Sequence, residues 1–224
     1  MTPESPEIRQ FQERLGINFK DQALLNQALS HRSVGSVNNE RLEFLGDAIL
    51  GMEIAKQLFT LHPKMDEGDL TRYRSLLVRK ETLAELARQY QFQQVLKFGA
   101  SDRLSGTANH DSVLADAFEA IIGAIFVDLG AKATSLFIQK IYWHKLTNLP
   151  SHKFLKDAKS RLQEKLQSMK LALPKYIVLK EKTDHPQEFT VSVEIVDLKL
   201  SAQATAGSVR KAEMLAAEKI LKNF

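Results

Sequence analysis

The chain has 224 residues, of which 44% are apolar and 26% charged, a composition typical of a globular protein with one large or two small domains. Its net charge of +4 and its pI near 9.2 favour an anionic partner. Because the sequence contains no cysteine, disulfides, zinc–thiolate sites, iron–sulfur clusters and cysteine nucleophiles are excluded, and a reducing, cytoplasmic location is expected.

Neither the beginning of the chain nor its apolar segments predict export or a membrane partner. The first ten residues lack the basic-then-apolar pattern of a secretory signal. The longest apolar run, residues 120–127, has eight residues, whereas a membrane helix needs about 20. We therefore expect no membrane association.

Residues 1–148 are predicted to be helical almost throughout. The helices are expected where apolar residues recur at spacings of three and four, at residues 8–15, 22–30, 39–61, 70–77, 82–90, 112–129 and 133–146. No strands alternate with these helices, and no repeat of fixed period occurs. The pattern predicts an all-α domain.

The last third of the chain predicts a second, α+β domain at residues 157–224. An amphipathic helix at 157–169 precedes strand-like runs at 175–182, 188–196 and 199–205, and a helix at 208–221 ends the domain. This α-β-β-β-α order lets both helices cover one face of an antiparallel sheet. The Pro150-Ser151 pair interrupts the helical pattern, so we predict a linker at residues 149–156.

The excess of positive over negative charge lies entirely in this second domain. Residues 1–150 contain 17 Lys and Arg against 18 Asp and Glu, a net charge of −1. Residues 151–224 contain 14 against 9, a net charge of +5. The second domain is therefore the expected binding site of an anionic partner.

Two sets of acidic residues in the predicted helices could bind a metal. Glu40, Glu43 and Asp47 are spaced i, i+3 and i+7, which places them within about 60° on one helix face. Asp116 and Glu119 lie in an apolar helix, where isolated acids are costly to bury. If the two helices cross, the carboxylates form an oxygen-only site that suits Mg²⁺ or Mn²⁺ rather than zinc. The spacing alone equally allows a solvated acidic face or contacts with helix N-termini.

Three motifs of other functional classes are absent from the sequence. No histidine follows a glutamate at the Glu-x-x-His spacing of di-iron bundles. The chain also lacks the Gly-x-Ser-x-Gly of serine hydrolases and the Gly-x-x-x-x-Gly-Lys of phosphate-binding loops.

The segment at residues 39–47, Asn-Glu-Arg-Leu-Glu-Phe-Leu-Gly-Asp, resembles the signature of ribonuclease III, a family that cleaves double-stranded RNA. Further segments resemble the family in the same order, at residues 28–33, 66–69, 82–87 and 114–120. Residues 157–224 resemble the double-stranded RNA-binding domain of its bacterial members. The resemblance extends from about residue 8 to residue 222, and implies an all-α endonuclease domain followed by an α+β RNA-binding domain.

The resemblance also implies roles for individual residues. The implied metal ligands are Glu43, Asp47, Asp116 and Glu119. Glu40 and Glu67 match further acids of the cleavage site, and Phe44 matches an aromatic residue that packs across a homodimer interface. The implied reaction uses Mg²⁺, for which Mn²⁺ can substitute, and no small-molecule cofactor. It leaves 5′-phosphate and 3′-hydroxyl ends with short 3′ overhangs, and a two-fold dimer provides one site for each strand. The implied substrates are ribosomal RNA precursors and messenger RNA.

Three groups of residues in the second domain could contact RNA. The predicted helix at 157–169 carries polar residues able to meet 2′-hydroxyls, namely Ser160, Gln163, Glu164 and Gln167. His185 lies in the turn between the first two strands, and Ser208, Arg210 and Lys211 open the last helix, where phosphate is favoured. Taken alone, these residues also fit a polar helix face, a hairpin turn and a helix cap. Val209 and Asn109-His110 stand where the family often has bases, which predicts weaker phosphate contacts.

Two alternative functions belong to other classes. A non-catalytic RNA-binding protein on the same scaffold would have lost acids, above all at the position of Glu119, whereas all six acids are present here. A DNA-directed nuclease is disfavoured, because the second domain is suited to A-form duplex and 2′-hydroxyls. The sequence therefore favours an endoribonuclease.

Overall fold

The fold is taken from a computed structural model that describes residues 5–100, 102, 106–151, 158–182 and 187–224. The chain divides into two compact units, Met1–Leu149 and Pro150–Phe224. The first unit is helical and the second has the order α-β-β-β-α, which confirms the predicted fold class. Most of the predicted linker, residues 152–156, lies outside the described residues.

The helices of the first unit agree closely with those predicted from apolar spacing. They are α1 (Pro6–Leu15), α2 (Gln22–Ala28), α3 (Glu40–Leu61), α4 (Glu67–Leu77), α5 (Lys80–Gln89) and α6 (Asp111–Thr147). Two differences have local causes. Helix α4 begins three residues before the prediction, because the Asp66 carboxylate accepts a hydrogen bond of 2.7 Å from the Asp69 backbone N–H and caps the helix. Helix α6 joins two predicted helices, and the left-handed φ of 82° at Gly130 marks the kink between them.

Helix α6 is the central element of the first unit. It packs against α3 and α5, and side chains along its first half, such as Leu114, Ile121 and Ile125, are completely buried. On length and composition alone it could also cross a membrane. Its burial in the helical unit provides a different reason for its apolar sequence, because core helices have the same composition.

Helices α3 and α6 approach so closely that their backbones touch. A Cβ atom at Gly46 of α3 would lie 1.8 Å from the carbonyl oxygen of Glu119. A Cβ atom at Gly123 of α6 would lie 2.2 Å from the carbonyl oxygen of Leu42. Only glycine fits at either position without moving a helix. The two glycines therefore set the distance between the helices that carry the predicted metal ligands.

Aromatic side chains fill the core beside this crossing. The ring centroids of Phe11 and Phe92 are 4.9 Å apart, those of Phe92 and Phe118 5.7 Å, and those of Phe118 and Tyr142 6.5 Å, all within the range of favourable ring contacts. The Tyr142 hydroxyl donates a hydrogen bond of 3.3 Å to the Leu77 carbonyl. These contacts fix α6 against the surrounding helices.

The second unit places two helices on one face of an antiparallel sheet. Its elements are α7 (Ala158–Ser168), β1 (Lys175–Lys182), β2 (Glu188–Ile195), β3 (Leu200–Ala206) and α8 (Val209–Leu221), and the strand order is β1-β2-β3. In β2, the alternate residues Val191, Val193 and Ile195 are buried, and Ser192 between them is also buried. Val193 and Ile195 pack with Leu162 of α7 and Ile220 of α8 in one core.

Candidate functional site

Three carboxylates converge where α3 and α6 cross. Glu43 of α3 and Asp116 and Glu119 of α6 each offer an oxygen, and these oxygens lie within 4.8 Å of one another. All three side chains are half-buried. This convergence of the two predicted acidic sets depends on Gly46 and Gly123, because bulkier residues would separate the helices.

The pKa of Glu119 is raised more than that of the other two carboxyls in the cluster. Burial raises its pKa from 4.5 to about 8, and the charges of Asp47, Glu43 and Asp116 contribute to the rise. Burial and the charge of Glu119 also raise the pKa of the Tyr142 hydroxyl well above its usual value. Near neutral pH, Glu119 therefore retains a proton unless a cation replaces it.

The other two carboxylates also have raised pKa values. Burial raises the pKa of Glu43, and the neighbouring charges of Asp116, Glu40 and Asp47 raise it further. Burial likewise raises the pKa of Asp116. A shared site of half-buried, mutually repelling carboxylates is stabilised by a positive charge among them.

Asp47 and Glu40 lie beside the cluster rather than within it. Asp47 is exposed on α3 and is not among the three residues whose oxygens converge, but its charge raises the pKa of both Glu43 and Glu119. Glu40 is exposed at the start of α3, and its carboxylate accepts a hydrogen bond of 3.1 Å from the Asn38 side-chain amide. Glu40 also lines the same cleft as Glu43 and Asp116, which has a volume of about 390 Å³.

The donor set of the cluster fits a hard divalent cation. Its ligand atoms are carboxylate oxygens, which Mg²⁺ and Mn²⁺ prefer, and the sequence has no thiolate that would favour zinc. A cation would also offset the effects of burial and of repulsion that raise the pKa of Glu119. The residues that could hold the cation are Glu43, Asp116 and Glu119. Asp47 is close enough for its charge to raise the pKa of Glu43 and Glu119.

Glu67 lies at a different place in the first unit. It is exposed in the first turn of α4, where its carboxylate accepts a hydrogen bond of 3.0 Å from the Thr71 hydroxyl. It lines a groove with Ala55 and Phe59 of α3. Within one chain, the structure therefore does not bring Glu67 to the carboxylate cluster.

An exposed apolar stripe runs along α3 beside that groove. Phe44 is 81% exposed and Phe59 is 72% exposed, and Met52 between them is also exposed. At 100° per residue, the three side chains lie within about 80° of one another on the helix. Such a surface on a folded protein is typical of an interaction site.

The second unit exposes polar and basic groups on its two helices. Ser160, Gln163, Glu164 and Gln167 are all exposed on α7, whereas Leu162 and Leu166 of the same helix are buried in the core. The predicted RNA-facing residues of α7 therefore share its solvent side.

The beginning of α8 combines a helix cap with two cations. The Ser208 side chain accepts a hydrogen bond of 3.3 Å from the Lys211 backbone N–H, which makes Ser208 the N-cap. Arg210 and Lys211 are exposed in the first turn. His185, the remaining predicted RNA contact, lies outside the described residues.

Two features of the site, at Gly123 and Arg32, were not predicted from the sequence. Gly123 had no predicted role, although an isolated glycine in an otherwise apolar helix indicates a close backbone approach. Arg32 lines the carboxylate cleft. Its segment, residues 28–33, predicted only a resemblance to the family and no role for Arg32 itself.

Both units of the chain match known sequence families. Residues 21–146 match the family described as Ribonuclease-III-like, and residues 158–224 match the family described as Double-stranded RNA binding motif. The fold and the carboxylate cluster thus define a class of protein, a metal-dependent nuclease followed by a double-stranded RNA-binding domain.

Individual relatives identify the family. The chain is 44% identical over 215 residues to "Ribonuclease 3" of Proteus mirabilis (strain HI4320), which covers 96% of this chain and 95% of the relative. One structure of the nuclease domain of ribonuclease III from Campylobacter jejuni is 34% identical and covers 63% of this chain and 99% of its own, with a TM-score of 0.61. A second structure of that domain is 33% identical and covers 65% of this chain and 100% of its own, with a TM-score of 0.62. The chain belongs to the ribonuclease III family and is an endoribonuclease that acts on double-stranded RNA.

Proposed function

We propose that the chain cleaves double-stranded RNA with Mg²⁺ held by Glu43, Asp47, Asp116 and Glu119. The observation that carries this proposal is the convergence of three carboxylates within 4.8 Å at the crossing of α3 and α6. A bound Mg²⁺ would polarise a phosphoryl oxygen and lower the pKa of a coordinated water. Mn²⁺ prefers the same oxygen ligands and is expected to substitute.

The protein groups have distinct tasks in this proposal. Glu119, whose pKa is about 8, releases its proton when the cation binds. Asp47 and Glu40 are exposed beside the half-buried acids, so Asp47 would bind the cation from the open side of the site, and Glu40 would face the entering RNA strand. The products are expected to have 5′-phosphate and 3′-hydroxyl ends and short 3′ overhangs.

We infer that two copies of the chain form a two-fold homodimer through the exposed stripe of α3. The nuclease domain of ribonuclease III from Campylobacter jejuni contains a structurally flexible region that is involved in dimer formation. In this chain Phe44 and Phe59 expose a large apolar surface that a second copy would cover. A two-fold axis would present two related sites to the two antiparallel strands of a duplex.

The dimer also provides a role for Glu67. Its groove adjoins the exposed stripe of α3, so dimerisation would bring Glu67 close to the second copy. We propose that Glu67 contributes to the carboxylate cluster of the neighbouring subunit.

A mixed-dimer experiment tests this assignment. Glu67→Ala and Glu119→Ala are each expected to be inactive as homodimers. After the two are unfolded, mixed and refolded, half the dimers carry both variants, and each has one complete site. About a quarter of wild-type cleavage should return, mostly as single-strand nicks. If mixing restores no cleavage although mixed dimers form, Glu67 does not act on the neighbouring subunit.

The second unit is proposed to hold the RNA while the first cuts it. Exposed Arg210 and Lys211 at the start of α8, together with the polar side of α7, suit the phosphates and 2′-hydroxyls of an A-form duplex. We also propose a cytoplasmic location, with ribosomal RNA precursors and messenger RNA as the substrates.

The decisive assay compares duplex RNA, single-stranded RNA and duplex DNA in the presence and absence of Mg²⁺. Wild type should cut only the duplex RNA and only with the metal. Glu119→Ala should reduce cleavage at least about 100-fold, because removing a metal ligand removes several kcal/mol of transition-state stabilisation. Binding of the duplex should stay close to that of wild type. Glu13→Ala, which removes an exposed acid of α1, is the matched control. Retained cleavage by Glu119→Ala would overturn the metal assignment.

A further inference from the structure

Arg32 lies at the edge of the carboxylate cleft and has no part in the functions proposed above. It begins the short 3₁₀ turn Arg32–Val34, which precedes α3. The cleft that Arg32 lines also contains Glu40, Glu43 and Asp116. A guanidinium is thus built into the wall of a cleft that contains three of the acids, beside the imidazole of His31.

The backbone that carries Arg32 is held firmly on both sides. The His31 N–H donates a hydrogen bond of 3.0 Å to the Lys97 carbonyl, and the Gly99 N–H donates one of 3.0 Å to the Ser33 hydroxyl. A Cβ atom at Gly99 would lie 2.3 Å from the Ser33 carbonyl oxygen, so the two segments are in direct contact. The position from which the Arg32 side chain extends is therefore fixed relative to the cleft.

The guanidinium of Arg32 is close to the acids without being neutralised by them. Its charge opposes the rise in the pKa of both Glu43 and Asp116. Among the residues that the structure describes, however, no carboxylate lies within 4.0 Å of it, in contrast to Arg72, which pairs with Asp69 at 2.5 Å. Arg32 is also exposed to solvent. An exposed, unpaired guanidinium in this position is available to an anion that enters the cleft.

We propose that Arg32 binds a phosphate of the RNA strand at the cleavage site. The chemistry fits because guanidinium donates two parallel hydrogen bonds to phosphate oxygens. The acids of the cleft repel the same phosphate, so a cation at the edge supplies an attraction that offsets this repulsion. This inference rests on the proposed function, since it assumes that the scissile phosphate approaches the carboxylate cluster.

The alternative role for Arg32 is to balance the charge of the acids. The two roles predict different effects of Arg32→Ala. Loss of a phosphate contact weakens the interaction with RNA and reduces its salt dependence. Loss of a balancing charge leaves RNA binding unchanged and strengthens the binding of a divalent cation.

The test uses the full chain and a short RNA duplex between about 50 and 200 mM salt. We measure kcat/KM in Mg²⁺, duplex binding in Ca²⁺ and Mn²⁺ affinity in the absence of RNA. Arg32→Ala should lower kcat/KM about tenfold, the effect of one charge-assisted hydrogen-bonded contact. The slope of log kcat/KM against log salt should decrease in magnitude by about one. Arg32→Lys should restore the slope and only part of the rate, because lysine keeps the charge without the two-pronged geometry.

Lys132→Ala serves as the matched control, because it removes an exposed cation of α6 beyond the kink at Gly130. An unchanged salt slope in Arg32→Ala, or an equal decrease in Lys132→Ala, would overturn the proposal. Failure of the proposed function would be recognised separately, because wild type itself would then not cleave in Mg²⁺. Circular dichroism of each variant confirms that the comparison is between folded proteins.

Discussion

The charge of Glu119 should make the metal-free protein less stable as pH rises. The folded state raises the pKa of this carboxyl from 4.5 to about 8. Between these pH values the folded chain holds a proton that the unfolded chain has lost. The stability associated with that proton is complete below pH 4.5 and is lost as pH increases to about 8. Glu119→Gln, which stays neutral, should lack this loss.

The size of the effect follows from the pKa difference. A rise from 4.5 to about 8 corresponds to about 5 kcal/mol if solvent does not screen the charge. Glu119 is half-buried, so we expect about 2 kcal/mol after screening. Glu119→Gln should therefore be about 2 kcal/mol more stable than wild type at pH 8.5, and nearly equal to it at pH 4.5.

Urea unfolding in EDTA at a fixed protein concentration measures this difference. The only tryptophan, Trp143 in α6, reports on the helical unit without interference from the second unit. Glu13→Gln, on the exposed side of α1, should show no comparable dependence on pH. Addition of Mg²⁺ should stabilise wild type more than Glu119→Gln, since the amide of the variant lacks the negative charge of the carboxylate. A constant difference between Glu119→Gln and wild type from pH 4.5 to 8.5 would refute the reasoning.

Three further predictions concern packing, assembly and capping. Gly123→Ala should destabilise the helical unit by at least about 3 kcal/mol in urea unfolding, because the new methyl group would meet the Leu42 carbonyl; Gly51→Ala, with nothing within 4 Å, should be neutral or slightly stabilising. Phe44→Asp should shift the protein from dimer to monomer in analytical ultracentrifugation, and an unchanged dimer would exclude Phe44 from the interface. Ser208→Ala should lower the thermal stability of the second unit by about 1 kcal/mol, through loss of the N-cap, and a loss below about 0.3 kcal/mol would show that the cap contributes little.

The sequence predicted the secondary structure well because burial is periodic in both units. The β2 residues Val191, Val193 and Ile195 alternate in the sequence and are buried in the structure. The start of α4 was predicted too late, because Gly68 weakens the helical pattern while the Asp66 cap, a single hydrogen bond, compensates for it. The break between the two predicted parts of α6 is present as a kink at Gly130 within one helix.

The acidic set was predictable from spacing, whereas its arrangement was not. Periodicity places Glu43 and Asp47 on one face of α3, but it does not give the depth of the crossing with α6. The contact through Gly46 and Gly123 sets that depth, so Glu43 enters the cluster and Asp47 remains exposed beside it. The position of Glu67 in a groove beside α3 depends on tertiary packing, which leaves no local pattern in the sequence.

The most direct test of the metal assignment is a crystal of the full chain grown or soaked with Mn²⁺ and measured near the manganese absorption edge. We expect an anomalous peak between Glu43, Asp116 and Glu119, at about 2.1–2.2 Å from their carboxylate oxygens, and loss of that peak in Glu119→Ala. At a Mn²⁺ concentration that supports cleavage of duplex RNA, absence of a peak at this cluster would contradict the assignment.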